Sequence, residues 1–254
     1  MQHATLATIS GFLNKLLRVR RIKDASVNGL QIRNRTTGKI NTVGFAVDAC
    51  ISTFRKARKQ KVDLLVVHHG IKWKRQKDSG LANIRSAYLQ KYNVALYAAH
   101  LPLDLHEEYG NNMQLARLLD VQKTHRFGRY HGVEIGYAGT FKKAVSLDFI
   151  AARLNGHLKT RCRVYRFGNT RIRSIGIVSG SGGDMLLDAV NEGLDCFLVG
   201  EIDLTVHNAA RDRGVNVITA GHYATETLGV RALMPLIRNA YHVKTVFIAD
   251  PKKL

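Results

Sequence analysis

The sequence predicts an α/β fold, and three observations carry that expectation. Short apolar, β-branched runs recur along the chain, stretches of helical character separate them, and no Ser/Pro/Gly-rich linker interrupts the alternation. Strands are expected at 62–67, 94–98, 172–179, 196–199, 215–219 and 244–248, each a run of Val, Ile, Leu and aromatic residues. Helices are expected at 51–59, 83–91, 111–119, 185–192, 204–213 and 225–238. A strand at 134–141 followed by a helix at 147–154 opens a second lobe.

The composition fits a folded chain. Of 254 residues, 45% are hydrophobic and 23% charged, which excludes disorder and supports a sizeable core. The first thirty residues lack the apolar segment of a secretory leader, and no run reaches the roughly 18 apolar residues of a membrane span. A cytoplasmic protein with no membrane partner is the expectation. Cys50, Cys162 and Cys196 are widely spaced and form no CxxC pair, so they read as small apolar residues rather than as disulfides or zinc ligands.

The net charge of +20 attracts polyanions: RNA, DNA or phosphorylated small molecules. Its cations cluster at Lys15-Arg18-Arg20-Arg21-Lys23, Arg55-Lys56-Arg58-Lys59-Lys61, Lys72-Lys74-Arg75-Lys77 and Lys159-Arg161-Arg163-Arg166. The competing explanation is a solvated basic surface, and no recognition-helix pattern argues against it.

Chemistry-bearing residues gather just past the expected strands. His68 and His69 end the run DLLVVHHG; in a continuing strand they would face opposite ways, and Gly70 allows a turn that aims both at one site. AAHLPLD supplies His100 and Asp104, and AGHYATE supplies His222 and Glu226. The two segments weakly echo each other, each placing an acid four residues after a histidine, a spacing that shares one helix face. Imidazole and carboxylate without thiolate suit zinc, iron, manganese or cobalt. Five ligands exceed one tetrahedral zinc, so two ions sharing a carboxylate is the expected count.

Three features keep more than one reading. His100 is a ligand, a residue orienting a ligand, or a proton shuttle. Glu201, Asp203 and His207 in VGEIDLTVHNAA are either site residues or a polar turn in which Asp203 caps a helix. Gly180, Gly182 and Gly183 in IVSGSGGDML either bind phosphate through backbone amides or make a tight turn; the spacing matches neither a dinucleotide fingerprint nor a P-loop, which favours the turn.

Taken together, SVNGLQI, VDLLVVHHGIKW, YAAHLPLDLHEEYGNN, IVSGSGGD, GEID and AGHYATETLGVRAL resemble, in order and over nearly the whole chain, the NIF-three-like family of GTP cyclohydrolase 1 type 2 homologues. The resemblance implies two interleaved α/β lobes with mixed sheets and a dinuclear metal site between them. It implies metal ligands at His68, His69, Asp104, His222 and Glu226, and a homohexamer arranged as a trimer of dimers in a toroid. At this length the chain looks like the short form without an inserted domain. The metal-binding lobe is expected at 1–126 plus 222–254, and the second α/β lobe at 127–221.

The leading functional expectation is a metal-dependent hydrolase of a nucleotide-like, pterin-like or other anionic small molecule. Two divalent ions per chain would activate water, His100 would shuttle the proton, and Lys72 or Lys74 would meet phosphates. The alternatives are a basic toroidal nucleic-acid-binding protein whose metals are structural or regulatory, and a metal-storage or metal-chaperone protein.

Overall fold

The computed structural model describes residues 4–35, 38–74 and 80–251. Arg75 and Lys77 of the third basic cluster lie outside the described residues. The chain begins with α1 (Leu6–Leu16), β1 (Gly29–Ile32), β2 (Thr42–Asp48), α2 (Ile51–Lys59) and β3 (Leu64–His69). It continues with α3 (Leu81–Lys91), β4 (Ala95–Ala98), α4 (Leu101–Asp104), α5 (Asn111–Leu118), β5 (Gln122–Tyr130) and β6 (Val133–Val145). Next come α6 (Leu147–Leu158), β7 (Arg163–Tyr165), β8 (Ile172–Val178), a 3-10 turn at Gly182–Met185, α7 (Leu186–Asn191) and β9 (Cys196–Val199). The last elements are α8 (Leu204–Arg213), β10 (Asn216–Thr219), α9 (His222–Thr225), α10 (Thr227–Tyr241) and β11 (Lys244–Phe247).

These elements make a mixed α/β protein of two compact units, Met1–Leu103 with Val230–Leu254, and Asp104–Gly229. The sequence suggests the switches near 127 and 222; the contacts put them at Asp104 and Val230. The reason lies in packing. Met113, Leu115 and Ala116 of α5 share one core with Tyr137, Ile175 and Leu198 of the second sheet, so α5 cannot be separated from it.

In the first unit the strand order is β1-β4-β3-β2-β11. β11, β2, β3 and β4 run parallel, and β1 closes one edge antiparallel to β4. Central strands buried on both faces read as continuous apolar runs, which is why LLVV and ALYA were legible. One face, with Leu65, Val67, Leu96 and Ala98, packs against Phe54 and Ala57 of α2 and Leu89 of α3. α1 starts with a capping box in which Thr5 and Thr8 exchange side-chain and backbone bonds. Tyr97 reaches α1 through a 3.1 Å bond from its hydroxyl to Asn14, and Tyr241 of α10 donates to the Thr8 carbonyl at 2.9 Å.

In the second unit the order is β5-β6-β8-β9-β10-β7. β8, β9 and β10 are parallel; β5, β6 and β7 add antiparallel neighbours on either side. α5 and α6 cover one face through Leu115, Ile150 and Leu154. Cys196 is fully buried in that core and Cys162 packs against it, consistent with thiols acting as small apolar groups. Burial pushes the Cys162 thiol up to about 11. Among the described residues no helix is long and apolar enough to cross a membrane.

Candidate metal centre

The first unit brings three histidines together at the C-terminal ends of parallel strands. His68 and His69 finish β3 and His100 follows β4. Their rings lie 4.6 Å (His68–His69), 5.1 Å (His68–His100) and 5.6 Å (His69–His100) apart, centroid to centroid. One ligand-type atom from each falls within 4.8 Å of the others, a grouping that could hold a metal ion. Trp73 walls the cluster, meeting His100 edge-on at 5.0 Å. Gly70 assists by a route other than a turn at positive φ: a Cβ there would collide with the Gln31 side chain and with Ala98. Gln31 in turn accepts from the Ile71 and Lys72 amides at 2.7 and 3.1 Å, holding the segment that follows the histidine pair.

Each of these imidazoles is oriented by an acceptor at Nδ1. His68 Nδ1 lies 3.0 Å from the Ala99 carbonyl, His69 Nδ1 2.9 Å from Asp48, and His100 Nδ1 3.0 Å from Asp24. A carbonyl or carboxylate can only accept, so in the neutral ring Nδ1 carries the proton and Nε2 the lone pair. Asp24 is the most fully engaged of these acceptors. It also takes bonds from Asn28 Nδ2 (2.8 Å) and from the Ser26 and Leu101 amides (both 3.0 Å). Burial works to raise its pKa, but the His100 bond and charge together with Asn28 and the Ser26 amide outweigh it and hold the carboxyl at about 2. Lys74 Nζ is occupied with the Asp24 carbonyl at 2.8 Å, and Lys72 is exposed.

The second unit arranges its own donors past the ends of β8, β9 and β10. His222 and Glu226, four residues apart at α9, approach to 3.2 Å through Nε2 and Oε1. His222 Nδ1 donates to Glu201 at 2.8 Å, so this ring too is oriented by a carboxylate. Burial lowers the His222 pKa, yet the bonds and charges of Glu226 and Glu201 override it and raise it to about 9. Asp104, buried at the end of α4, accepts from Asn111 Nδ2 at 2.8 Å and Ser179 Oγ at 3.1 Å. Gly180, next to Ser179, has φ +65°, and its missing Cβ makes room for Glu226 Oε1. Its amide bonds Thr225 Oγ1 at 3.0 Å.

The remaining ambiguities resolve residue by residue. Asp203 is the α8 cap, accepting from the Val206 amide at 2.8 Å. Glu201 belongs with His222, and His207 packs edge-on against Tyr165 and Phe167. The glycine segment is a tight turn into the 3-10 element, with Gly180 at positive φ. The sequence reading missed Asp24 and Asp48; they stand 76 and 21 residues from the histidines they hold, and no spacing pattern links them.

The donor chemistry fits divalent metal ions. Histidines that ligate a metal characteristically give their other nitrogen to a carboxylate or carbonyl, and His68, His69, His100 and His222 all do so. An α/β protein of two mixed-sheet units, each carrying imidazole or carboxylate donors at the ends of its parallel strands, is the class these features define. The chain belongs to the Duf34/NIF3 (NGG1p interacting factor 3) family, which matches residues 4–253. It is 42% identical over 253 residues to the GTP cyclohydrolase 1 type 2 homolog of Pyrococcus abyssi (strain GE5 / Orsay), covering 97% of this chain and 98% of that one. A solved structure from Thermus thermophilus is 35% identical with a TM-score of 0.87, covering 98% of this chain and 100% of its own. The protein ybgI, described as of unknown function, is 27% identical with a TM-score of 0.90 over 98% of this chain and 100% of its own.

Proposed function

We propose that this protein is a metal-dependent hydrolase of a nucleotide-like or pterin-like substrate. His68, His69, Asp104, His222 and Glu226 are the proposed ligands of two divalent ions, drawn from zinc, iron, manganese and cobalt. The observation that supports this most is the acceptor placed on Nδ1 of each histidine, because it orients the ring and leaves Nε2 as the nitrogen to coordinate an ion. The naming of relatives as GTP cyclohydrolase 1 type 2 homologs suggests hydrolytic opening of a ring C–N bond as the reaction class.

Metal ions held there would supply Lewis acidity to activate water and polarise the bond under attack. The protein's own groups do the rest. Asp24 holds His100 with its Nδ1 proton directed to the carboxylate, so Nε2 is the nitrogen that takes up a proton and later returns it. Trp73 shields one side of the imidazoles from water. Asn28 fixes both members of the pair, accepting from the His100 amide at 2.8 Å while donating to Asp24.

Metal analysis of purified protein, followed by a chelator-controlled screen against nucleotides, pterins and cyclic amides, tests the reading. About two ions per chain are expected, with turnover abolished by chelator, restored by one particular metal, and lost in His68→Ala. Less than one ion per chain from metal-replete growth would overturn the site. Full loading without turnover on any of these substrates would overturn the hydrolase.

A further inference from the structure

One strip of the second unit lies outside the metal centre and combines charge with aromatic surface. It runs along the edge strand β7 and the neighbouring face of α8. Cys162 and Val164 turn into the core of the sheet. Arg163 and Tyr165 alternate with Val164 and lie on the other side of β7, while the exposed Arg161 and the partly exposed Phe167 flank the strand. The Tyr165 and Phe167 rings stack at 6.2 Å with 25° between their planes. His207 of α8 meets both edge-on at 5.2 Å, bracing them from the helix side. Arg211, one turn further along α8, is exposed.

The charge here is unbalanced. Residues 159–173 contain six Lys or Arg and no acid. Among the described residues neither Arg161 nor Arg163 makes an ion pair, and the Arg166–Asp148 pair is solvent-exposed on both sides. Arginines on an edge strand also discourage pairing with another sheet. That role accounts for the cations. It leaves unexplained two aromatic rings that stay partly exposed and stacked beside them.

We propose that this strip binds single-stranded nucleic acid, with Arg161 and Arg163 on phosphates and bases stacked on Tyr165 and Phe167. Stacking platforms interleaved with cations hold single strands with little regard to sequence, since every base has a π face. A duplex keeps its bases stacked internally and offers this strip only its phosphates. The proposal is independent of the metal centre, so either can fail alone.

The test uses full-length, metal-replete protein and a fluorescein-labelled oligothymidylate of about twelve nucleotides. Anisotropy is read at salt concentrations between about 50 and 200 mM. Arg161→Ala with Arg163→Ala is expected to weaken binding and to lower the slope of log affinity against log salt by about 0.7 for each cation removed. Tyr165→Leu is expected to weaken it about tenfold at unchanged slope, and Phe167→Leu serves where Tyr165→Leu does not fold. Arg55→Ala with Lys59→Ala on α2 removes the same charge elsewhere and should leave affinity nearly intact. The proposal is overturned by no binding to the wild type, by equal loss in the α2 variant, by unchanged affinity in both aromatic variants, or by a duplex bound as tightly as the single strand.

Discussion

Glu201 accepts from His222 Nδ1 at 2.8 Å while Glu226 stands 3.2 Å from Nε2 of the same ring, so one imidazole is held between two carboxylates with different tasks. Glu201 sets the orientation and Glu226 is the proposed ligand. Glu201→Ala should therefore reduce metal affinity by about 10–100-fold through the loss of that support. Glu201→Gln keeps an acceptor oxygen in reach and should lose much less. Competition against a chromophoric chelator measures both; equal and negligible effects would remove Glu201 from the proposed centre.

The same arrangement predicts how uptake depends on pH. With its pKa raised to about 9, His222 is protonated at neutral pH in the metal-free protein, and a metal ion taken up at Nε2 must displace that proton. Affinity should rise with pH from 6 toward 9, with close to one proton released from His222 per binding event near pH 7. Calorimetry in buffers of different ionisation enthalpy counts it. Metal-free stability should follow the opposite trend: the contribution of a group with a raised pKa is fully present below the unfolded value of 6.5 and is lost as pH passes through about 9. A metal-free melting temperature flat from pH 6 to 9.5 would contradict the His222 assignment.

Legibility followed burial and charge. β3, β4, β8, β9 and β10 were readable because parallel strands buried on both faces are built around apolar runs such as LLVV, ALYA, IGIV and CFLV. β5, with the sequence QKTHRFGRY, hid as a polar segment because it is an edge strand with its first four residues exposed. β7 is three residues long, too short to show alternation. His68 and His69 stood out because they end an apolar strand, and His100 and His222 because they closely follow one, each with an acid, Asp104 or Glu226, four residues on. Asp24 and Asp48 did not, since a hydrogen bond across folded space leaves no mark on local spacing.

Asp24 offers the clearest coupling between site and stability. It is a buried carboxylate serving four donors, and Asp24→Ala leaves them without it, at a cost of about 3 kcal/mol. Asp24→Asn retains volume but loses the charge that His100 and the amides favour. A depressed pKa contributes stability that is fully present above the unfolded 3.8 and is lost as pH falls through about 2. The gap between wild type and Asp24→Asn should thus be widest above pH 4 and close as pH approaches 2. Urea titrations across that range check it, and a gap that persists unchanged to pH 2 would assign the loss to packing instead.

Gly180 separates backbone strain from damage to the proposed ligand Glu226. At φ +65° an alanine costs about 1 kcal/mol whatever surrounds it, and here the added Cβ also strikes Glu226 Oε1. Gly193 has nearly the same φ, +63°, but a Cβ there meets nothing within 4 Å. Gly193→Ala should therefore lower the melting temperature modestly and keep the full upward shift that saturating metal produces. Gly180→Ala should lower it further and lose most of that metal-induced shift, because the displaced carboxylate no longer faces His222 Nε2. Thermal melts of both variants with and without added metal decide the matter: a Gly180→Ala protein that responds to metal as strongly as Gly193→Ala would show that Glu226 does not bind the ion.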